Sequence, residues 1–419
     1  MSGLFGPILL QVVSLGVTDR TEVRVVHGQT QYSEAATYPY LGLNFRWKHT
    51  TLIVTYGPPS LTLSPLDAKK PTLLASQSAA IAASYRWQRT TLTVSQSGSY
   101  GDVNFQTQAL AGAPPDLNAG ASPNGTSNPT PSASGTGTPS SPQPAQPPPG
   151  TTLPVANQYL ARGEVVRYAT LASSVRVTQL ISPVLSVSSV VGYVASGSVG
   201  SNAANDYPVV KGMSADVSAR YQLNHADNVT SSLGTQFAHA STGDNGWFLA
   251  ATESFGHLFD ARTTGRVGGG VSLSRNSRSD GLVSYSIYPD FAAFISHTTP
   301  QKDGAFTYGA AVTAAPVLDP VRATVDPRLS SSLFAGWGYG RFTTSVAGGS
   351  AISLASRDDQ GALNSLFVTL GANVRLVDAV SLNTGVRAFW QSFQGKTSVP
   401  ATYAGFLGLT FGAFVPLNH

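Results

Sequence analysis

The sequence has no cysteine, few charged residues and no long hydrophobic run. The absence of cysteine from all 419 residues excludes disulfides and thiolate metal sites. Charged side chains make up only 11% of the chain, which is low for a soluble protein of this length. The apolar stretches are far shorter than the roughly 20 residues that a membrane helix requires. A disulfide-stabilised fold is excluded, and a helical membrane protein is disfavoured.

What the sequence contains instead is a two-residue alternation along most of its length. In residues 213–223, Met213, Ala215, Val217, Ala219, Tyr221 and Leu223 alternate with Ser, Asp, Arg and Gln. Because successive strand side chains point to opposite faces, one face is apolar and the other polar. In a closed barrel in a membrane, the apolar face contacts lipid and the polar face contacts water, so that no large hydrophobic core is needed. The alternation predicts an all-β fold, a transmembrane antiparallel up-and-down β-barrel in a bacterial outer membrane.

Turn signals set the number of strands. The segment Phe45–Leu52 returns as Tyr85–Leu92, and each copy is typical of a hairpin with a short polar turn; a soluble β-repeat is the alternative. Further short turns are predicted near 181–183, 225–228, 258–260, 338–340 and 377–378. Longer connections are predicted at 57–76, 197–212, 275–281 and 356–361. Pairing the strands through the short turns gives about 18 strands. The range is 16–20, because the prolines between Pro289 and Arg328 obscure the strand boundaries. An even number places both termini in the periplasm.

Composition divides the chain into four parts. Residues 1–19 are predicted to be an N-terminal periplasmic segment, with 1–16 a mature N-terminus or a degenerate signal peptide. Residues 20–110 are the first barrel strands, and 151–415 are the strands that close the same barrel. Between them, 111–150 is rich in Pro, Ser, Gly and Thr and is predicted to be a disordered extracellular loop. A folded plug and a boundary between two domains are the alternatives.

The last strand carries a family resemblance. Tyr403, Gly405, Leu407, Leu409 and Phe411 lie on one face of a C-terminal strand. This spacing resembles the terminal signal by which outer-membrane β-barrels are recognised for assembly, although the chain continues beyond it. The resemblance implies contact with outer-membrane lipid, lipopolysaccharide and the barrel-assembly machinery. Aromatic residues at the membrane interface are predicted at Trp47, Trp87, Tyr221, Trp337 and Trp390.

Arginines on the polar face are the best functional candidates. Seven fall in register with Ser, Thr, Asn or Gly: Arg46, Arg86, Arg176, Arg220, Arg266, Arg375 and Arg387. Facing the lumen, they would focus a positive field into the passage and favour anions. The alternatives are that they pair with Asp216, Glu164 or Glu253, or that they mark solvated turns.

Catalysis has little support in the sequence. The seven histidines show no metal-ligand spacing, and the Gly268–Gly270 run lacks the helix of a phosphate loop. His239 near Asp244 is the one acid/base alternative. No enzyme activity, metal, cofactor or nucleic-acid partner is predicted.

The predicted function is a water-filled outer-membrane conduit. In strand number, composition and the low-complexity insertion, the chain is similar to barrels that export exopolysaccharide with a periplasmic partner. The alternatives are a general or anion-preferring diffusion porin, which would fold a loop inward, and a structural or adhesive surface barrel with a blocked lumen.

Overall fold

A computed structural model describes residues 9–26, 29–64, 72–104, 165–200, 208–318, 323–354, 363–377, 379–393 and 396–416. These residues form an all-β fold of 18 strands. Their bounds are β1 (Leu9–Val26), β2 (Gln29–Arg46), β3 (Thr50–Ser64), β4 (Thr72–Trp87), β5 (Thr90–Asn104), β6 (Val165–Ser182), β7 (Leu185–Ser198), β8 (Val210–Gln222), β9 (Asp227–Ala240), β10 (Asn245–Leu258), β11 (Thr263–Ser277), β12 (Val283–Gln301), β13 (Gly304–Leu318), β14 (Val325–Tyr339), β15 (Phe342–Ser353), β16 (Leu363–Val377), β17 (Val380–Phe393) and β18 (Lys396–Pro416).

The strands close into one antiparallel barrel. Each strand pairs with its neighbours in the chain, and β18 pairs with β1 from Val12↔Pro416 to Val26↔Thr402. Closure removes the free sheet edges that an open sheet would expose to lipid. Within the described ranges, no helix is both long and apolar enough to cross a membrane. The predicted fold class and strand number are confirmed.

The connections differ between the two rims of the barrel. One rim, here called the short-turn rim, carries the turns from β2 to β3 and then after every second strand, at 47–49, 88–89, 183–184, 223–226, 259–262, 302–303, 340–341 and 378–379. The first residue of β1 and the last of β18 lie at this rim, since Leu9 pairs with Arg46 and Pro416 with Val12. The five predicted short turns all fall here.

Three predicted boundaries are corrected. Residues 9–19 belong to β1 rather than to a segment that precedes the barrel, because their backbone pairs with both β2 and β18. The connection expected at 57–76 is shorter, since β3 extends to Ser64 and β4 begins at Thr72. The strands before and after the predicted loop 111–150 end at Asn104 and begin at Val165, and the loop itself lies outside the described residues.

The outer face of the wall is apolar. Met213, Val217 and Tyr221 of β8 are 58%, 50% and 48% exposed on this face, while Ser214, Asp216 and Ser218 point the other way. The same alternation extends to the neighbouring strands because directly paired residues share a face. The exterior of the barrel is therefore suited to hydrocarbon, and the interior is left for water.

Candidate functional site

The inner wall of the barrel is covered by small hydroxyl side chains. Many are bonded across neighbouring strands: the Oγ atoms of Ser95 and Ser174 lie 2.7 Å apart, as do Ser232 Oγ and Thr252 Oγ1. Such cross-strand pairs satisfy one another and leave each hydroxyl with spare hydrogen-bonding capacity. The wall can thus exchange hydrogen bonds with water or with a hydroxylated solute.

Strand pairing places all seven candidate arginines on this inner face. Arg176 pairs with Thr93, Arg220 with Thr230, and Arg387 with Ala404, each opposite in parity to the exposed apolar residues. Five of the seven lie within three residues of a strand end at the short-turn rim, namely Arg46, Arg86, Arg220, Arg266 and Arg375. Arg176 and Arg387 lie deeper in their strands. The structure therefore concentrates positive charge in the half of the lumen next to the short turns.

Two of these arginines lie on the same part of the wall. Arg220 of β8 and Arg266 of β11 interact electrostatically as like charges, and Arg266 donates from Nη2 to Ser254 Oγ at 2.7 Å. Two guanidiniums on one part of a partly buried wall attract anions. This part of the wall is the strongest candidate anion site in the lumen.

The three carboxylates proposed as partners of the arginines differ in position. Asp216 lies on the inner face and interacts with Arg176. Glu253 shares the parity of the exposed residues Ala251 and Phe255 on β10, so it faces out of the barrel and cannot pair with a lumenal arginine. Glu164 lies outside the described residues. Of the two carboxylates with described positions, Asp216 alone faces the lumen, where it interacts with Arg176.

A hairpin that the sequence did not reveal enters the lumen. Pairing between β12 and β13 stops at Phe291↔Ala314, whereas β13 and β14 remain paired up to Leu318↔Val325. The end of the β13–β14 hairpin therefore separates from β12 at the rim opposite the short turns. The prolines that obscured the strand boundaries, Pro289, Pro316 and Pro327, lie in this region. None of them has an N–H to donate to a strand ladder.

The hairpin end packs against the inner wall of β8 to β11. Asn276 on β11 donates from Nδ2 to the Val325 carbonyl at 3.0 Å and accepts from the Val325 N–H at 2.6 Å. Gly246 on β10 makes the approach possible, because a Cβ there would lie 2.4 Å from the Ala323 carbonyl oxygen. Around these contacts is a buried apolar cluster of Val210, Ala238, Ala240, Phe248, Ala250, Leu318, Ala323 and Val325. The packed hairpin narrows the lumen at this rim.

The candidate interface aromatics all face outward. Trp47, Trp87, Tyr221 and Trp337 lie near the short-turn rim, with Trp87 64% exposed. Trp337 also donates from Nε1 to Gln301 Oε1 at 2.9 Å. Trp390 lies toward the opposite end of its strand. Their anchoring role at the membrane interface stays a prediction.

The residues of the predicted assembly signal share one face of β18. Tyr403, Leu407, Leu409 and Phe411 are exposed on the outer wall, and Gly405 lies in the same row. The strand runs on to Pro416 and closes the barrel against β1. Recognition of this strand by the assembly machinery stays a prediction.

The acid/base alternative gains no support from the geometry. His239 faces outward beside Lys211, whereas the Asp244 carboxylate accepts hydrogen bonds from the Ser279 N–H at 2.8 Å and from Thr242 Oγ1 at 3.4 Å. Among the residues with described positions, no group of His, Asp and Glu is arranged to hold a metal ion.

Comparison with known proteins identifies the family. Residues 13–413 match the EpsX exopolysaccharide export family. The chain belongs to this family. The match spans the barrel from β1 to β18, and together with the apolar exterior it identifies the protein as an outer-membrane barrel channel of the EpsX family. No curated protein matches the chain.

Several solved structures are similar over their whole length. The outer membrane protein OpdK from Pseudomonas aeruginosa is 10% identical, with a TM-score of 0.46 and coverage of 96% of this chain and 98% of OpdK. OccK2 (OpdF) of the same organism, solved in complex with glucuronate, is 10% identical with a TM-score of 0.47 and the same coverages. OccAB3 from Acinetobacter baumannii is 8% identical with a TM-score of 0.47, covering 97% and 99%.

Proposed function

We propose that this EpsX-family barrel is the conduit through which an exopolysaccharide, preferentially an acidic one, crosses the outer membrane. The observation that carries the proposal is the set of arginines on a hydroxyl-rich inner wall, in a chain of an exopolysaccharide export family. A polymer of sugars needs hydrogen-bonding partners along its path, and its carboxylate or phosphate groups need cations. The described inner wall supplies both.

The wall acts by replacing hydration and by focusing charge. Serine and threonine hydroxyls exchange with the water that surrounds a sugar hydroxyl, so that entry costs little. The positive field of Arg220, Arg266 and Arg375 near the short-turn rim raises the local concentration of anionic groups. The polymer is then drawn toward the half of the lumen next to the periplasm, and no chemical step is involved.

The short-turn rim supports the proposal of a periplasmic partner. Five exposed basic side chains lie in its turns: Lys48, Arg89, Arg262, Lys302 and Arg341. These basic residues outnumber the exposed Asp260 and Asp303 in the same turns, and a positive excess complements an acidic surface on an export protein or the acidic polymer that such a protein delivers. Lipid and lipopolysaccharide would cover the remaining outer surface.

The test uses the absence of native cysteine. Cells lacking the gene should lose surface polymer and recover it with the wild-type protein or with either of two cysteine variants. Thr93→Cys faces the lumen, and its neighbour Val94→Cys faces the lipid. A bulky polyethylene-glycol maleimide should stop export in cells carrying Thr93→Cys and leave cells carrying Val94→Cys unaffected. Continued export in labelled Thr93→Cys cells would rule out passage through this lumen.

The inward hairpin favours a second candidate, an anion-preferring diffusion porin. A porin is expected to fold a loop into its lumen, and the contacts of Asn276 with Val325 place a hairpin end there. Normal surface polymer in the deletion strain, together with a loss of small-anion uptake, would favour this candidate over export.

A further inference from the structure

Five of the aromatic rings that face the lumen lie along one side of the barrel, where Tyr38 and Tyr288 also face inward. The five come from every second strand: Phe294 of β12, Phe334 of β14, Phe367 of β16, Phe406 of β18 and Tyr40 of β2. All are half-buried, so part of each ring is open to the lumen. We call this set the lumenal aromatic track. On the described inner faces of β4 to β11, by contrast, the aromatic residues Tyr168 and Phe248 are buried, and small polar side chains line the lumen.

Four of these rings lie over a glycine of the preceding strand. Phe334 pairs with Gly309, Phe367 with Gly349, Phe406 with Gly385 and Tyr40 with Gly16. A Cβ on Gly309 would lie 2.5 Å from Phe334 Cζ, and one on Gly349 would lie 2.8 Å from Phe367 Cε1. Any larger residue would therefore push the ring away from the wall. The glycines let the rings lie close over the backbone of the wall, and the part of each ring that stays exposed faces the lumen.

Two neighbouring members of the track are in contact with each other, and a third is in contact with a positive charge. The rings of Phe294 and Phe334 stack with centroids 6.5 Å apart and an interplanar angle of 16°. The Arg387 guanidinium lies over the Phe406 ring at 4.9 Å. One guanidinium thus lies against the track, while the inner faces of β4 to β11 carry hydroxyls together with Arg86, Arg176, Arg220 and Arg266.

We infer that the lumenal aromatic track is a carbohydrate-binding surface on which pyranose rings stack as the polymer moves through the lumen. A pyranose ring carries C–H groups on its faces and hydroxyls at its edges. The electron-rich face of an aromatic ring attracts the C–H face, and the hydroxyl-rich wall of β4 to β11 receives the edges. The inference rests on the proposed function, because it names the wall residues that would hold an exported polysaccharide.

The test separates stacking from charge with two probes. The full-length protein is reconstituted in planar bilayers, and blockade of the ion current is titrated with neutral maltoheptaose and with anionic hexagalacturonate. The double variant Phe334→Leu/Phe367→Leu keeps apolar volume but removes the rings. We expect its half-blocking concentration to rise about tenfold for both probes, a change of about 1.4 kcal/mol, while the conductance without sugar is unchanged.

Two matched controls complete the design. Phe255→Leu removes an outward-facing ring and should leave both titrations unchanged. Arg266→Gln should weaken blockade by the anionic probe only. Saturation-transfer NMR on the detergent-solubilised protein gives a second readout, in which transfer from irradiated aromatic protons to maltoheptaose should be weaker in the double variant than in the wild type.

The outcomes separate this inference from the proposed function. Equal blockade of the wild type and the double variant, or no saturation transfer to either sugar in the wild type, would overturn the track as a binding surface. Export of surface polymer, measured in the deletion strain complemented with the same variants, would still decide the proposed function by itself.

Discussion

The side-chain amide of Asn276 on β11 binds both the N–H and the C=O of Val325 on β14, three strands away in the barrel order. An amide that replaces a strand partner satisfies backbone groups which would otherwise be orphaned inside the lumen. Asn276 is 4% exposed and Val325 is 1% exposed, so water has little access to either. Asn276 therefore supplies the polar contacts of a hairpin end that the apolar cluster around it also holds.

Substitution Asn276→Ala should release this hairpin end. Loss of both hydrogen bonds leaves the Val325 groups unsatisfied, which costs roughly 1–3 kcal/mol for each group while they stay buried. We expect a larger and noisier single-channel conductance in planar bilayers. Asn228→Ala, an inner-wall asparagine near the short-turn rim, is the control. Unchanged conductance in Asn276→Ala would show that the hairpin does not limit the current.

Substitution Gly246→Val should displace the hairpin end sterically, because Gly246 on β10 lies directly against Ala323. A Cβ at Gly246 would lie 2.4 Å from the Ala323 carbonyl oxygen, whereas one at Gly336 would meet only Thr344 O at 3.8 Å. We expect Gly246→Val to resemble Asn276→Ala in conductance, and Gly336→Ala to match the wild type. If Gly246→Val conducts normally and unfolds at the wild-type urea concentration, the close approach is wrong.

Removing lumenal charge should reduce anion preference. A unit charge about 7 Å from a permeant ion in water is worth about 0.6 kcal/mol. Because this energy favours the anion and opposes the cation equally, Arg220→Gln and Arg266→Gln should each lower the anion-to-cation permeability ratio by about sevenfold, measured from the zero-current potential in a salt gradient. Arg275→Gln, on the outer face beside Tyr285, should leave the ratio unchanged. A ratio that favours cations in the wild type would contradict the proposed field.

The outward-facing Glu253 should be unfavourable where lipid covers it. Its neighbours across the strands are Ser231 and Gly269, which leave the carboxylate exposed on the outer wall. We expect Glu253→Leu to stabilise the barrel by about 1–2 kcal/mol, below the penalty of a basic residue at the bilayer midplane, in urea unfolding from phospholipid vesicles. The stability of Glu253→Gln should lie between that of the wild type and that of Glu253→Leu. Destabilisation by leucine would instead indicate a polar partner on this face.

The turn residue Asp260 should make stability depend on pH. The backbone N–H of Arg262 and then the side chain and backbone of Thr263 donate to this carboxylate and lower its pKa. A lowered pKa stabilises the fold above the ordinary aspartate range, near about 3.9, and the contribution is lost as the pH falls through the folded pKa. Asp260→Ala should therefore unfold earlier than the wild type at pH 7, and the difference should shrink as the pH falls below the ordinary aspartate range. A difference that is independent of pH would contradict this prediction.

Local signals were enough to predict the barrel itself. The alternation in β8, with Met213 and Tyr221 on one face and Arg220 on the other, depends only on strand geometry, and turns such as 259–262 depend on nearby residues. For the same reason, the parity of Glu253 with Phe255 could have excluded its pairing with lumenal arginines.

The hairpin and the aromatic track needed contacts distant in sequence. Nothing near Val325 shows that Asn276, on another strand, will bind it. The ring of Phe367 and the glycine at 349 are equally ordinary until the register of β15 and β16 places them face to face. Pairing register is set by the whole sheet, which a local pattern does not describe.

The junction between β5 and β6 offers a practical use. Asn104 and Val165 are direct backbone partners at the rim opposite the short turns, so the two ends of the intervening 105–164 segment are fixed beside each other by the wall. Because the ends already meet, the loop that joins them can change in length at small entropic cost. An epitope or an affinity peptide grafted there would make the barrel a display scaffold without altering its strands.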